Sequence, residues 1–299
     1  MHKKSAFTLI ELIVVLVVLL AIYFFISISH TNRYSRENAR NILCQTNLKG
    51  YGNAYIMYLD DYDLTFPDAR TWLFRDPNTP SSSCLWHDKL HNLENNPDNI
   101  GTFFKYVADK NNYVCPTFDK LAQSGLGQYH PGHNPEIPMD PQYSYSLNAY
   151  LGSGPHGLIK KLGDLEANPG RVATFTEQNI MWNIQKRSRY NPDLNPFMFL
   201  PRTAPYQPED FNHAFATYHF APSEDIEIGD TDDSYALQDG ADYPQWGLTR
   251  GSGNAVFLDQ HVQALPFWTD AHEYAYPRKN PIPRPTTWWL NLKEYYEKQ

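Results

Sequence analysis

Asp259 and His261 occupy alternate positions of Gly253 to Val262, a stretch that reads as a strand and a hairpin after a Gly-rich turn. Alternate strand residues share a face, so the carboxylate and the imidazole would meet on one side. With Ser252 next to that stretch, the three could be written as a hydrolase. His213 and His219, within Phe211 to Phe220, add further imidazoles, and the chain has 11 His in all. Against this, there is no Gly-x-Ser-x-Gly nucleophile elbow and no His-Glu-x-x-His. Single His and Asp residues on a strand serve more often as hydrogen-bonding partners, so no enzyme is expected. The acidic run Glu224 to Asp242 contains Asp230, Asp232, Asp233 and Asp239-Gly240. Clustered carboxylate and carbonyl oxygens suit Ca²⁺, so Asp230, Asp232 and Asp233 form a candidate cation loop. The alternative is a long solvated surface loop. Asp60, Asp61 and Asp63 form a second acidic cluster, without the spacing or Gly of an EF-hand loop. No cofactor other than Ca²⁺ is suggested.

Three cysteines, Cys44, Cys84 and Cys115, leave one odd thiol if one internal bridge forms. Cys44 falls in a helical region, whereas Cys84 and Cys115 share the loop-rich segment after it. That placement favours Cys84–Cys115 over a bridge to Cys44; the alternative is three buried thiols. No zinc site is read from them, because neither Cys-x-x-Cys nor close His spacing accompanies them.

The elements that would carry these residues begin at the N-terminus. Lys3-Lys4-Ser5-Ala6 precedes Phe7-Thr8-Leu9-Ile10-Glu11-Leu12, and an almost unbroken apolar run continues through Ile28. About 20 apolar residues cross a bilayer, so residues 7–28 suffice for one span. Glu11 lies inside that run. An isolated charge in hydrocarbon costs on the order of 3 kcal/mol on insertion scales, so Glu11 calls for a partner. The run is longer than the apolar core of a cleaved secretory signal, and no Ala-x-Ala-like site ends it. Residues 29–60 continue as an amphipathic helix, with Ala39, Ile42, Leu43, Leu48, Tyr51 and Tyr55 at spacings of three or four. Gly50 and Gly52 weaken its far end.

This N-terminus resembles that of type IV pilins and type II secretion pseudopilins. The resemblance implies a prepilin leader, residues 1–6, cut by prepilin peptidase between Ala6 and Phe7. Phe7 would then be N-methylated, and Glu11 would pair with the N-terminal amine of a neighbouring subunit. The family usually has Gly before the cut, where this chain has Ala6. Lys3 and Lys4 favour a cytoplasmic N-terminus, while Arg33, Arg36 and Arg40 lie just beyond the run. The resemblance decides the orientation: leader inside, head outside the cytoplasmic membrane. Cys44-x-x-Asn47-Leu48-Lys49, Met57-Tyr58 and Phe66-Pro67 are similar to a large pilin-like family. So is the C-terminal stretch with Asp259, His261 and Val262, although Thr249 stands where that family has His and Gln260 where it has Gly.

Residues 61–299 read as one head. Arg171 to Glu177 is its best strand, β-branched and alternating. Tyr143 to Gly152 reads as a strand or an aromatic-rich loop ending at Gly. Tyr113-Val114 before Cys115-Pro116 looks like the end of a short strand. Residues 77–141 are otherwise irregular, and 277–285 form a Pro-rich tail before a short amphipathic helix at 288–296. Trp246, Trp268, Trp288 and Trp289 could stack on sugars, though core packing is the commoner use of such residues. The net charge of -8 argues against a nonspecific grip on nucleic acid, which needs basic surface.

The expected fold is therefore α+β. A long N-terminal helix, partly transmembrane, packs on a pilin-like antiparallel head with large loops. The expected function is a pseudopilin or minor pilin of a type II secretion or type IV pilus-like filament. Its partners would be prepilin peptidase, other pilin subunits, inner-membrane lipid and the secretion machinery. The alternative is a membrane-anchored extracytoplasmic glycan-binding module with a prepilin-like leader.

Overall fold

A computed structural model describes residues 9–69, 71–75, 89, 92–107, 109–123, 139–153, 157–178, 198–199, 216, 218–220, 251–266, 274 and 277–278, with the backbone alone for 25–33, 198–199 and 266. It divides into two compact units, Met1–Ala39 and Arg40–Gln299.

Helix α1 spans Leu9–Asp61 without interruption, close to the expected residues 7–60. Its later part, from Asn41 onward, buries a stripe formed by Asn41, Cys44, Asn47, Leu48, Tyr51, Ala54, Tyr55, Tyr58 and Leu59. These recur every three or four residues, so they share one face. Gly52 lies on that stripe, where an added Cβ would come within 2.8 Å of Val256 Cγ2. Gly52 is therefore not a weak point: it lets the helix backbone approach the sheet.

The sheet has the order β3-β1-β2-β4-β5. Strands β1 (Tyr145–Asn148), β2 (Ala173–Glu177), β4 (Ser252–Phe257) and β5 (Val262–Pro266) pair antiparallel in that order. The short edge strand β3 (Met198–Phe199) departs from the all-antiparallel expectation by pairing parallel to β1. Strand β2 is buried along its whole length, where its alternating sequence suggests one wet face. The reason is a second layer. Phe175 packs under Tyr51 and Tyr55 of α1, with ring centroids 4.9 and 6.0 Å away. Ala173, Ala255, Phe257 and Leu265 form a smaller cluster that Tyr274 covers. An irregularity between Ala173 and Phe175 puts these two residues, two apart in sequence, into different clusters.

The strand expected at Tyr113-Val114 is absent. A 3₁₀ turn covers Lys110–Asn112, and helix α2 (Pro116–Gln123) starts directly after Cys115. Pro116 opens that helix, where the missing N–H of proline would have no helical partner anyway. Gly152 turns the chain after β1 with φ +99, tight against the Pro67 carbonyl.

Candidate functional site: an exposed apolar helix and a buried polar clamp

Every described side chain of α1 from Leu9 to Phe24 is exposed, and Leu9 itself is 74% exposed. Leucine, isoleucine, valine and phenylalanine occupy all sides of the helix. Glu11 lies in the first turn, the only carboxylate of this stretch. A carboxylate there complements the partial positive charge of a helix N-terminus. A helix that is apolar all round needs a non-aqueous environment or other helices around it. Among the described residues no helix is long and apolar enough to cross a membrane. The apolar stretch with described side chains, Leu9 to Phe24, is 16 residues long, and a full crossing takes about 20. Ala6 and Phe7 lie outside the described residues, as do Asp230, Asp232 and Asp233.

Inside the head a second arrangement stands out, and it corrects the expected disulfide. Cys115 pairs with Cys44, not with Cys84, which lies outside the described residues. The Cα atoms of Cys44 and Cys115 are 5.0 Å apart. The packing explains the choice. Segment 113–115 runs along α1, where Asn47 Nδ2, one turn on from Cys44, donates to the Val114 carbonyl at 3.2 Å. The Cys115 N–H donates to Ser144 Oγ at 2.7 Å, and the Ser144 N–H donates to the Tyr113 carbonyl. These bonds hold Cys115 against the buried face of the helix. The signal was present in the sequence: Cys44 lies on the same 3–4 spacing as Leu48, Tyr51 and Tyr55, so it had to face the core.

Glu177 and His219, both fully buried, lie beside this bridge. A buried carboxylate is costly unless hydrogen bonds compensate it. Glu177 Oε2 accepts from the Asn254 backbone N–H at 2.8 Å. Its Oε1 accepts from His219 Nε2 at 2.9 Å and from Asn254 Nδ2 at 3.2 Å. Asn254 in turn donates to Asn41 Oδ1 and accepts from Gln45 Nε2, both on α1. His219 Nε2 is 3.6 Å from Cys115 Sγ. His219 also exchanges both backbone hydrogen bonds with Ser252 at the start of β4. The network thus ties α1, Cys115 just before α2, β2, β4 and the His219 segment together. Sequence reasoning noted His219 only as one imidazole among several and gave Glu177 no role. A glutamate closing an otherwise apolar and hydroxylated strand was the available hint.

Of the other candidates only Asp259 and His261 meet, and Ser252 does not join them. Asp259 and His261 are not in a strand but flank Gln260 in the turn between β4 and β5. There His261 Nδ1 meets Asp259 Oδ1 at 2.6 Å and the imidazole stacks on Phe257. Burial alone would raise the Asp259 carboxyl, but the hydrogen bonds and charge of His261 hold it below the usual range. Ser252 lies at the opposite end of β4. The pairing Val256↔Val262 to Ser252↔Pro266 separates them by four residues, roughly 13 Å of strand. In the acidic cluster of Asp60, Asp61 and Asp63, Asp63 pairs with Lys161 at 2.6 Å and Asp61 accepts from Tyr106 Oη. Trp246, Trp268, Trp288 and Trp289 lie outside the described residues. So does Thr249; among the described residues His219, 30 residues earlier, is a histidine that pairs with the start of β4.

Residues 1–22 match the family described as the prokaryotic N-terminal methylation motif. The match takes in the Ala6–Phe7 junction, Glu11 and most of the exposed apolar stretch. It marks a prepilin-type leader, cut by prepilin peptidase and built for assembly with other pilin subunits, consistent with the type IV pilin-like family. No curated protein and no solved structure matches the chain.

Proposed function

We propose that this protein is a non-enzymatic subunit, a pseudopilin or minor pilin, of a type II secretion or type IV pilus-like filament. Residues 7–28 span the cytoplasmic membrane once before assembly, with the head on the extracytoplasmic side. Peptidase cleavage after Ala6 frees Phe7 for N-methylation, and Glu11 neutralises the new amine of a neighbouring subunit. The observation that carries the reading is the helix from Leu9 to Phe24, exposed and apolar on every side with a single carboxylate in its first turn. Moving one such leucine or valine out of water is worth about 1.5–3 kcal/mol, so the stretch gains strongly from lipid or from like helices. The apolar sequence runs on to Ile28, giving 22 residues from Phe7, enough for one crossing. The buried disulfide fits a head that folds in an oxidising compartment. The head is larger than polymerisation alone requires, which suits a specialised subunit that contacts cargo or caps the filament.

Intact-mass and N-terminal peptide analysis of the protein from native membranes tests this. The expected terminus is N-methylated Phe7, and a Glu11→Ala variant should be processed yet fail to enter filaments. A terminus at Met1, or filaments that form as well with the alanine variant, would overturn the assembly reading.

A further inference from the structure

Four potential metal ligands converge in the head from four parts of the chain. Cys44 Sγ, Cys115 Sγ, His219 Nε2 and a Glu177 carboxylate oxygen all lie within 4.8 Å of one another, and all four residues are buried. The disulfide occupies two of the four. We propose that when this disulfide is reduced the same four side chains bind one Zn²⁺, so that the core is closed either by the Cys44–Cys115 bond or by the metal.

The ligand set has the chemistry of a closed tetrahedral site, with soft thiolates, an imidazole and one carboxylate. Zn–S distances of about 2.3 Å and Zn–N and Zn–O distances of about 2.0–2.1 Å imply neighbouring ligand atoms roughly 3.4–3.8 Å apart. His219 Nε2 and Cys115 Sγ already stand 3.6 Å apart. His219 Nε2 and Glu177 Oε1, at 2.9 Å, need to separate by about 0.5 Å. The two sulfur atoms must part by more than 1 Å once their bond is broken. Glu177 is already oriented for this use. Asn254 holds Oε2 by its backbone N–H and so aims Oε1 at the imidazole and the sulfurs. Such outer hydrogen bonds fix the ligands of metal sites. Burial makes the site selective for its charge: two thiolates and a carboxylate without a cation would leave three uncompensated negative charges in the core.

The interconversion balances with a dithiol as reductant. The dithiol attacks the Cys44–Cys115 bond, passes two electrons and two protons to the sulfur atoms, and leaves as its own disulfide. Zn²⁺ then displaces the two thiol protons, and His219 takes the tautomer with its proton on Nδ1 so that the Nε2 lone pair faces the metal. Re-oxidation by a disulfide-bearing oxidant expels the metal and restores the bond. A newly exported chain carries both cysteines as thiols, so the metal form is open to it before oxidation.

The test uses the full chain in detergent micelles, with Cys84→Ser so that only Cys44 and Cys115 report. The protein is reduced with dithiothreitol, freed of it without air, and titrated with Co²⁺ and then Zn²⁺. The expected result is one Co²⁺ per chain, with thiolate-to-cobalt charge-transfer absorption and the visible bands of a tetrahedral site, both erased by one equivalent of Zn²⁺. The oxidised protein should show neither. Glu177→Gln keeps the shape of the side chain and should shift the visible bands. His219→Ala should lose the tetrahedral spectrum. Circular dichroism follows the fold throughout. If reduction unfolds the head, Zn²⁺ should refold it. Absence of a stoichiometric Co²⁺ spectrum, a spectrum unchanged by both variants, or a reduced, unfolded head that Zn²⁺ fails to refold would each overturn the proposal.

Discussion

Replacing Cys44 and Cys115 together by alanine should remove a large part of the stability of the head. The two cysteines are 71 residues apart. The chain-entropy expression for a loop of that size gives about 4.4 kcal/mol at 25 °C in favour of the bridged form. Single domains are stable by only about 5–15 kcal/mol, so this is roughly 30–90% of the total. With a urea slope of about 2–3 kcal/mol per molar, the transition midpoint should fall by roughly 1.5–2 M. Tryptophan fluorescence can follow the transition, since Trp72 is buried in the aromatic cluster with Tyr51, Phe103 and Phe175. The alternative pair Cys84–Cys115 would close a shorter loop and contribute only about 0.7 kcal/mol less, which denaturation alone would not separate. Peptide mapping under non-reducing conditions therefore accompanies the urea series. A cross-linked peptide containing Cys44 and Cys115 is expected, and Cys84→Ala should leave both it and the midpoint in place. A Cys84–Cys115 peptide, or an unchanged midpoint in the double alanine variant, would refute the reasoning.

Gln260 holds φ +71 in the β4–β5 turn, where its N–H donates to the Phe257 carbonyl and the Phe257 N–H donates to the His261 carbonyl. This is a three-residue hairpin loop whose last position is left-handed and suits glycine. A non-glycine residue there costs about 1–2 kcal/mol, partly offset by the greater freedom of glycine in the unfolded chain. Gln260→Gly should therefore stabilise by about 0.5–1 kcal/mol in thermal denaturation, and Gln260→Val should destabilise; a fall in Tm for the glycine variant would contradict this. Burial pushes the phenols of Tyr51, Tyr55 and Tyr145 well above their ordinary range. Because the folded values are the higher ones, the contribution is whole below pH 10 and is lost as pH rises beyond it, when the unfolded phenols ionise. Three such groups remove about 4 kcal/mol by pH 11. Urea midpoints should fall from pH 8 to 11, with the buried phenols ionising only on unfolding; tyrosinate absorbance for all 21 tyrosines while the head stays folded would count against it.

Some of this protein was determined by its sequence alone, for a physical reason that holds wherever information is local. The run from Phe7 to Ile28 with Glu11 inside it needs no partner to be recognised, because apolar periodicity and one charge out of place are properties of consecutive residues. The same is true of β2 at Ala173–Glu177 and in part of two other elements: the stripe on α1 buries Leu48, Tyr51 and Tyr55 but leaves Ala39, Ile42 and Leu43 exposed, and the β4–β5 hairpin forms with Asp259 and His261 in its turn rather than in a strand. Only the tertiary structure decided what meets inside the head. Cys44 and Cys115 are 71 residues apart, and Glu177 and His219 are 42 apart. No local pattern distinguishes Cys115 from Cys84, or His219 from the other ten histidines. Their pairing follows from how α1 docks on the sheet through Gly52, how Asn47 and Ser144 hold segment 113–115 against that helix, and how the His219 backbone pairs with Ser252. A buried carboxylate is tolerated only where donors surround it, and those of Glu177 come from Asn254 on β4 and from His219, 77 and 42 residues away in sequence. Proximity of that kind is set by packing, not by order along the chain.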